Sequence, residues 1–357
     1  MLSLKMKPDM EEAQHRIDLF WEHEDTDRPM TSIVFPRKNG KSVCPKSYST
    51  QKERWLDIDY RVEQIASEVE SYVYYAEAMP VAFPNLGPEI LSAWAGCGYE
   101  FGETTTWSIP CIKNWDLNGS QAKIDESHPL FHVLVEFTQK LLQRGKDSFI
   151  TGLTDFHPGG DHLAALRGPE ALAMDLIEYP DEVKNKLSES YQQYFAIYDR
   201  FVSMILQEGL PISTWCPITS RESMYIPSND FSCMISQNMF REFFLDGIAM
   251  ECRHYKHSIY HLDGPNALRH LDDILSISEL NAVQWVPGAG NPGVFSWIDV
   301  YQKILNAGKS VQVLGVSPSD LDELMELLPA KGVWLCMTGI HNLEEAEAVM
   351  KKINHWK

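Results

Sequence analysis

An enlarged (β/α)8 barrel is the fold this chain predicts, and three observations carry the expectation. Short apolar, β-favouring runs alternate with stretches of helical period along the whole length. Several of those runs stop abruptly at groups that can ligate or exchange protons and are followed by Gly or Pro, the pattern of active sites on loops that cap parallel strands. The 357 residues, 44% hydrophobic and 23% charged, can bury one large core, so 1–357 reads as a single α/β domain, a TIM barrel with an N-terminal helical extension and an inserted lid.

The elements follow in order. Residues 1–30 form a leading helix with Ile17, Leu19, Phe20 and Trp21 as its apolar face. The first strand-like run, 31–35, ends at Pro36 and Arg37, and the second, 79–83, ends at Pro84 and Asn85. Residues 86–147 are long for one βα unit; their Thr- and Trp-rich patch, from Thr104 through Trp107 to Trp115, reads as an inserted hairpin or lid. The third run, 149–154, ends at Asp155 and His157, the fourth, 211–215, at Cys216, the fifth, 258–260, at His261, and the sixth, 282–284, at Trp285; runs 310–314 and 332–336 bring the number to eight. Helical periods fill 170–177, 180–206, 236–255, 266–275 and 320–328. Ser236 precedes the Phe240, Phe243 and Phe244 face as an entry signal, and Ser317 with Pro318 offers a cap and a first-turn proline. There is no internal repeat and no low-complexity segment.

Composition narrows the function. Seven cysteines with no CxxC pair are unlike a disulfide framework or a zinc knuckle and point to a reducing compartment. The opening residues lack a long apolar core and no stretch approaches 18 uninterrupted apolar residues, so the expectation is a soluble, cytoplasmic protein without a membrane partner. A formal charge of −19 opposes nucleic acid and anionic lipid, because neutralising phosphates takes a local excess of Lys and Arg. The Asn118, Gly119, Ser120 sequon is then a chance match.

His261 and Asp263 carry the sharpest signal. Spaced i, i+2 at a strand end, they share one face, and at the C-terminal end of a barrel strand that face is the pocket. The structural alternative makes Asp263 an N-cap ahead of Gly264 and Pro265, and His261 a hydrogen-bonded core residue. Asp155, His157, Asp161 and His162 place four ionisable groups within eight residues after a strand, suited to acid/base or metal work, although Pro158, Gly159 and Gly160 also make a turn for which Asp and His are ordinary caps. Arg221 to Tyr225, with Asp230, read as a polar loop able to close over a substrate, with a surface ion pair as the plain alternative. Gln284 offers an amide and Trp285 a ring for stacking, while Trp215 ends its own run nearby; core packing is the competing role for Trp285. The stretch from Gly288 to Gly293 matches GxGxxG in form, but proline interrupts it and no acidic residue follows in the needed context, so neither NAD nor another nucleotide is expected.

Ser236, Phe240 and Phe243, followed by His261, Asp263 and Gly264, are similar to the "SPExFxxF … HxCG" region of the uroporphyrinogen decarboxylase superfamily, and Gly168 to Leu172 with Tyr179 to Val183 resembles that family's helix and Pro-Glu turn. The resemblance spans roughly 80–350. It implies a TIM barrel with its site at the strand C-termini and two chemistries, porphyrinogen decarboxylation and methyl transfer between cobalamin proteins and thiols. Asn85 stands where the decarboxylase branch has the aspartate that gathers pyrrole NH groups, and of that branch's basic N-terminal loop at most Arg37 remains. The methyltransferase branch implies zinc on His-x-Cys and a late cysteine, where this chain has His261, Asp263 and, displaced by four residues, Cys336. Asp155, His157 and Gly160 match the DxHxxG pattern of cobalamin-binding domains in form, but no separate doubly wound domain is left to hold the cofactor.

The leading reading is a methyltransferase moving a methyl group between a small substrate or thiol and a corrinoid carried on a partner protein. In it His261, Asp263, Asp155 and His157 are catalytic; Asn85, Arg37, Arg221, Tyr225, Gln284, Trp285 and Trp215 contact substrate; and His261, Asp263 and Cys336 hold zinc or another divalent metal. The partners are a small molecule, a corrinoid protein and, in a homodimer, a second copy. Two alternatives stay open: a decarboxylase or lyase on a small carboxylated or polyhydroxylated compound, and a non-catalytic ligand-binding barrel.

Overall fold

The computed structural model describes residues 4–38, 40, 43–115, 119 and 121–356; Asn118 and Ser120 of the sequon lie outside them. The strands are β1 (Met30–Pro36), β2 (Tyr72–Ala76), β3 (Val81–Ala82), β4 (Gly98–Phe101), β5 (Thr106–Ile109), β6 (Ile150–Thr151), β7 (Met224–Tyr225), β8 (His257–Asp263), β9 (Ala282–Val286), β10 (Ser310–Val316) and β11 (Val333–Met337). Seven of them form one sheet in the order β2-β1-β11-β10-β9-β8-β7, parallel throughout except for β2, which runs antiparallel along β1. β3 and β6 form a separate parallel pair, and the 211–215 run is extended backbone whose Ser213 carbonyl accepts from Leu153 N at 2.7 Å. The fold is mixed α/β with a parallel central sheet and many helices.

Apolar residues dominate the central strands, interrupted by the polar groups His261, Gln284 and Gln312. β8, β9, β10 and β11 are buried on both faces, as parallel strands covered by helices must be. Pro180–Leu206 is one helix with proline in its first turn and Val183, Leu187, Tyr191, Tyr194, Tyr198, Phe201 and Ile205 buried along one stripe. The 236–255 helix is two, Gln237–Phe243 and Leu245–His254, broken at Phe244, and Ser236 does cap the first by accepting from Met239 N. Ser317 does not cap the helix after β10: Asp320 sits at the cap, Leu321–Leu327 starts later, and the Asp320 carboxylate instead accepts from Ser317 N at 2.7 Å. β4 and β5 make the inserted hairpin.

The helix Met10–Trp21 seals the N-terminal ends of the strands. Trp21 Nε1 donates to Thr219 O at 2.8 Å, its ring stacks on His257 at 5.1 Å, and the carbonyls of Phe20 and Trp21 accept from Ser310 Oγ at the start of β10 and Asn281 Nδ2 just before β9. Its buried face includes Ile17, Phe20 and Trp21 as expected, whereas Leu19 lies off it, half-buried. β8 delivers His261 and Asp263 to the other end. Among the described residues no helix is long and apolar enough to cross a membrane.

Candidate active site

Register places the first part of the site. His261 on β8 is level with Gln284 on β9, which is level with Gln312 on β10. The three side chains form a polar rung: His261 Nδ1 lies 2.5 Å from Gln284 Oε1, and Gln284 Nε2 donates to Gln312 Oε1 at 2.5 Å. Because Gln284 spends its NH2 on Gln312, its oxygen faces the histidine, so Nδ1 is the donor in that bond and Nε2 lies outside the rung. Trp215 packs edge-on against the imidazole, 5.3 Å away at 90°, and limits its rotation. The rung ends in thiols: Gln312 Nε2 donates to Cys336 Sγ at 3.1 Å, and Gln284 Nε2 reaches Cys216 Sγ at 3.7 Å. Burial pushes the Cys336 thiol up to about 12 and Cys216 well above its ordinary range, so both are neutral packing thiols here.

Nitrogen and oxygen donors gather above the rung. One atom each from Asp230, His261 and Asp263 lie within 4.8 Å of one another, and so do one atom each from His157, Asp161 and Asp230. Asp263 is not a helix cap, since the 3-10 turn Pro265–His270 starts from Gly264 with no side-chain cap bond. Ser228 bridges to His261 as a continuation of β7, and His261 N donates to Pro227 O at 2.9 Å, which delivers Asp230 to the histidine. Asp161 locks that strand extension by accepting from Phe231 N, Asp230 N and Ser228 Oγ at 2.9, 3.1 and 3.3 Å. The Pro-Gly-Gly turn permits this closeness: at Gly160 an added Cβ would stand 2.5 Å from Asn229 Oδ1, and at Gly159, φ +69°, 2.3 Å from Tyr191 Oη.

Electrostatics follow from the crowding. Burial pushes the Asp230 carboxyl up to about 6, with the charges of Asp161 and Asp263 adding to it and His261 and His157 opposing. Burial disfavours a charged His157, but Asp155, 3.0 Å from its Nε2, and Asp161, 3.7 Å from its Nδ1, outweigh it and hold the ring well above its ordinary value. Burial likewise opposes ionisation of Asp161, yet His157 and the Phe231 and Asp230 amides keep it below the ordinary carboxylate value.

The other candidates fall in three places. Asn85 sits at the end of β3, its Oδ1 accepting from Gly87 N, and borders two cavities of about 440 and 390 Å³ that share Arg61. Arg37 is exposed past β1, its Nε donating to Tyr72 O at 2.8 Å. Arg221 precedes β7 instead of following a strand end, so it lies with the first helix at the closed end, paired with Glu11 at 2.9 Å and Asp18 at 3.6 Å. Tyr225 is β7 itself, fully buried; its hydroxyl donates to Thr154 O at 2.7 Å and accepts from Phe156 N, holding the strand ends together without reaching the opening. Trp285 alternates with Gln284 on β9, faces away from the rung, and packs fully buried against Trp297 at 5.0 Å. Cys336 stands at the far end of the rung and is in neither donor group. His162 also turns away, its Nδ1 2.9 Å from Ser92 Oγ, and burial, aided by the charge of Lys186, takes it down to about 3. Gln312 is the member with no signal in the sequence, while Asp161 and Asp230, legible there only as part of an ionisable cluster and a polar loop, join the site itself.

No family model and no curated protein matches the chain. Among solved structures it is similar to a methyltransferase from Methanosarcina mazei, with a TM-score of 0.58 and 12% identity over 96% of this chain and 98% of that one. At that identity the likeness is one of fold.

Proposed function

We propose that the chain is an enzyme built as a (β/α)8 barrel of the uroporphyrinogen decarboxylase superfamily type, a methyltransferase that uses a divalent metal to pass a methyl group between a small substrate or thiol and a corrinoid carried on a partner protein. The observation that carries the reading is the Asp230, His261, Asp263 group, in which the histidine's Nδ1 is committed to Gln284 and Nε2 is outside that bond. The end-to-end fold likeness to a methyltransferase and the Ser236 to Gly264 resemblance support the same reaction class.

The residues fit such a metal. One neutral imidazole and two carboxylates are a donor set for zinc or a similar divalent ion, harder than the His/Cys/Cys set of the resembling branch. When bound, the ion supplies Lewis acidity that makes a thiol or water a competent nucleophile near neutral pH. The chain does the rest. Gln284, oriented by Gln312, fixes the tautomer of His261; Trp215 fixes its ring plane; Asp161 fixes the backbone that brings Asp230 to it.

Zinc-loaded protein incubated with methylcobalamin and a panel of small thiols should consume the methyl–cobalt absorbance and yield thioethers, and His261→Ala and Asp263→Asn should each slow this by at least a hundredfold. Absence of transfer to every thiol, or transfer indifferent to both substitutions, rejects the reading.

A further inference from the structure

We infer that Asp230 bridges two divalent cations, the second one held by His157 and Asp161. The inference rests on the reading of Asp230, His261 and Asp263 as a cation site and extends it to the group on the other side of Asp230.

The two donor groups are built alike. On the β8 side His261 has Nδ1 anchored by Gln284 Oε1, and one of its ring nitrogens shares a 4.8 Å neighbourhood with Asp230 and Asp263. On the β6 side His157 has Nε2 anchored 3.0 Å from Asp155 Oδ1, and its Nδ1 shares a 4.8 Å neighbourhood with Asp161 and Asp230. A carboxylate on the distal nitrogen of a histidine is the usual support for an imidazole that ligates a metal, since it fixes the tautomer and raises the basicity of the other nitrogen. Asp155 therefore has a positioning role, and Asp230 is the one residue common to both groups.

Charge points the same way. Asp155, Asp161, Asp230 and Asp263 crowd around two imidazoles, and among the described residues no Lys or Arg forms an ion pair with any of the four. Two carboxylates about 4 Å apart repel by roughly 4 kcal/mol at the effective dielectric of a protein surface, so the group is short of positive charge. A cation at Nδ1 would lie between the ring and Asp161, whose carboxylate oxygen is 3.7 Å away. Asp161 can ligate while still accepting from the Phe231 and Asp230 amides, because each carboxylate oxygen has two lone pairs. Carboxylate bridges of this kind hold cations about 3.5–4 Å apart, a spacing at which one deprotonated thiol or hydroxyl of a substrate can touch both.

Manganese(II) titration of chelator-stripped protein tests this, followed by calorimetry for stoichiometry and by electron paramagnetic resonance for coupling between ions. Two Mn(II) per chain with an exchange-coupled spectrum are expected, falling to one uncoupled ion in His157→Ala and in His261→Ala, while Asp230→Asn weakens both steps at least tenfold. Circular dichroism checks each fold, with His157→Gln as the substitute if His157→Ala does not fold. One Mn(II) per chain, lost in His261→Ala and unchanged in His157→Ala, overturns the second site and leaves the proposed function standing. Two uncoupled ions, only one of them sensitive to Asp230→Asn, overturn the bridge. No binding at all overturns this inference and the proposed function together.

Discussion

Glu251→Gln should change how stability depends on pH. Glu251 lies fully buried on the helix Leu245–His254, its carboxylate accepting from Tyr191 Oη at 3.2 Å and Tyr255 Oη at 3.3 Å, with Tyr194 Oη 2.7 Å beyond Tyr255. Burial raises the acid from its ordinary 4.5 to about 8; the two tyrosine hydroxyls pull the other way without matching it. Below pH 4.5 the group is protonated in both folded and unfolded chains. Between 4.5 and 8 only the unfolded chain ionises, so stability is lost as pH rises, and above 8 both forms ionise and the loss levels off. At 1.36 kcal/mol per unit the loss is roughly 3 kcal/mol at pH 7, with a ceiling near 5 kcal/mol. Glutamine is neutral throughout and can occupy the same place between the tyrosines. Urea unfolding of both proteins in chelator, from pH 5 to 8.5, should show Glu251→Gln gaining on the parent by a further ~1 kcal/mol per pH unit up to about pH 8, with all other titrations cancelling in the difference. A difference that stays constant across that range would refute the argument that a buried, proton-holding acid sits there.

Other outcomes follow from the same geometry. Gln284→Leu removes the acceptor that fixes His261 Nδ1 and should weaken zinc binding by 10- to 100-fold in a competition titration, while Trp285→Phe, on the opposite face, should leave zinc binding unchanged. Gly159→Ala meets both a left-handed backbone and the Tyr191 hydroxyl, so denaturant unfolding should register a loss of about 1–3 kcal/mol. Arg221→Ala removes two exposed ion pairs at the closed end and should cost less than about 1 kcal/mol with no change in methyl transfer.

The parts of the fold legible in the sequence are those whose pattern is local. Pro180–Leu206 announces itself by an entry proline and a long apolar stripe, and β8 to β11 by short β-favouring runs. β2 and β7 are stabilised by partners distant in sequence, β1 and β8, and carry no alternation of their own, so periodicity passes over them. The site divides the same way. His261 and Asp263 show themselves by i, i+2 spacing at a strand end, and Asp155 and His157 repeat it after β6. Asp230 becomes part of the group only because Ser228 pairs with His261 and Asp161 clamps the chain between them, a convergence of three separate segments. Trp285 was within reach of sequence reasoning, since the neighbour of an inward Gln284 on a strand must face outward. Arg221 was misplaced with the unrecognised β7: without that strand, the turn before it reads as a loop after the preceding one.

The central claim, that Asp230, His261 and Asp263 hold the metal on which methyl transfer depends, is tested most directly by anomalous diffraction at the zinc edge from crystals of the zinc-loaded protein. A peak about 2.0–2.2 Å from His261 Nε2 and from carboxylate oxygens of Asp230 and Asp263 is the predicted result. A peak at the Cys216 and Cys336 thiols instead, or none within reach of His261, would contradict it.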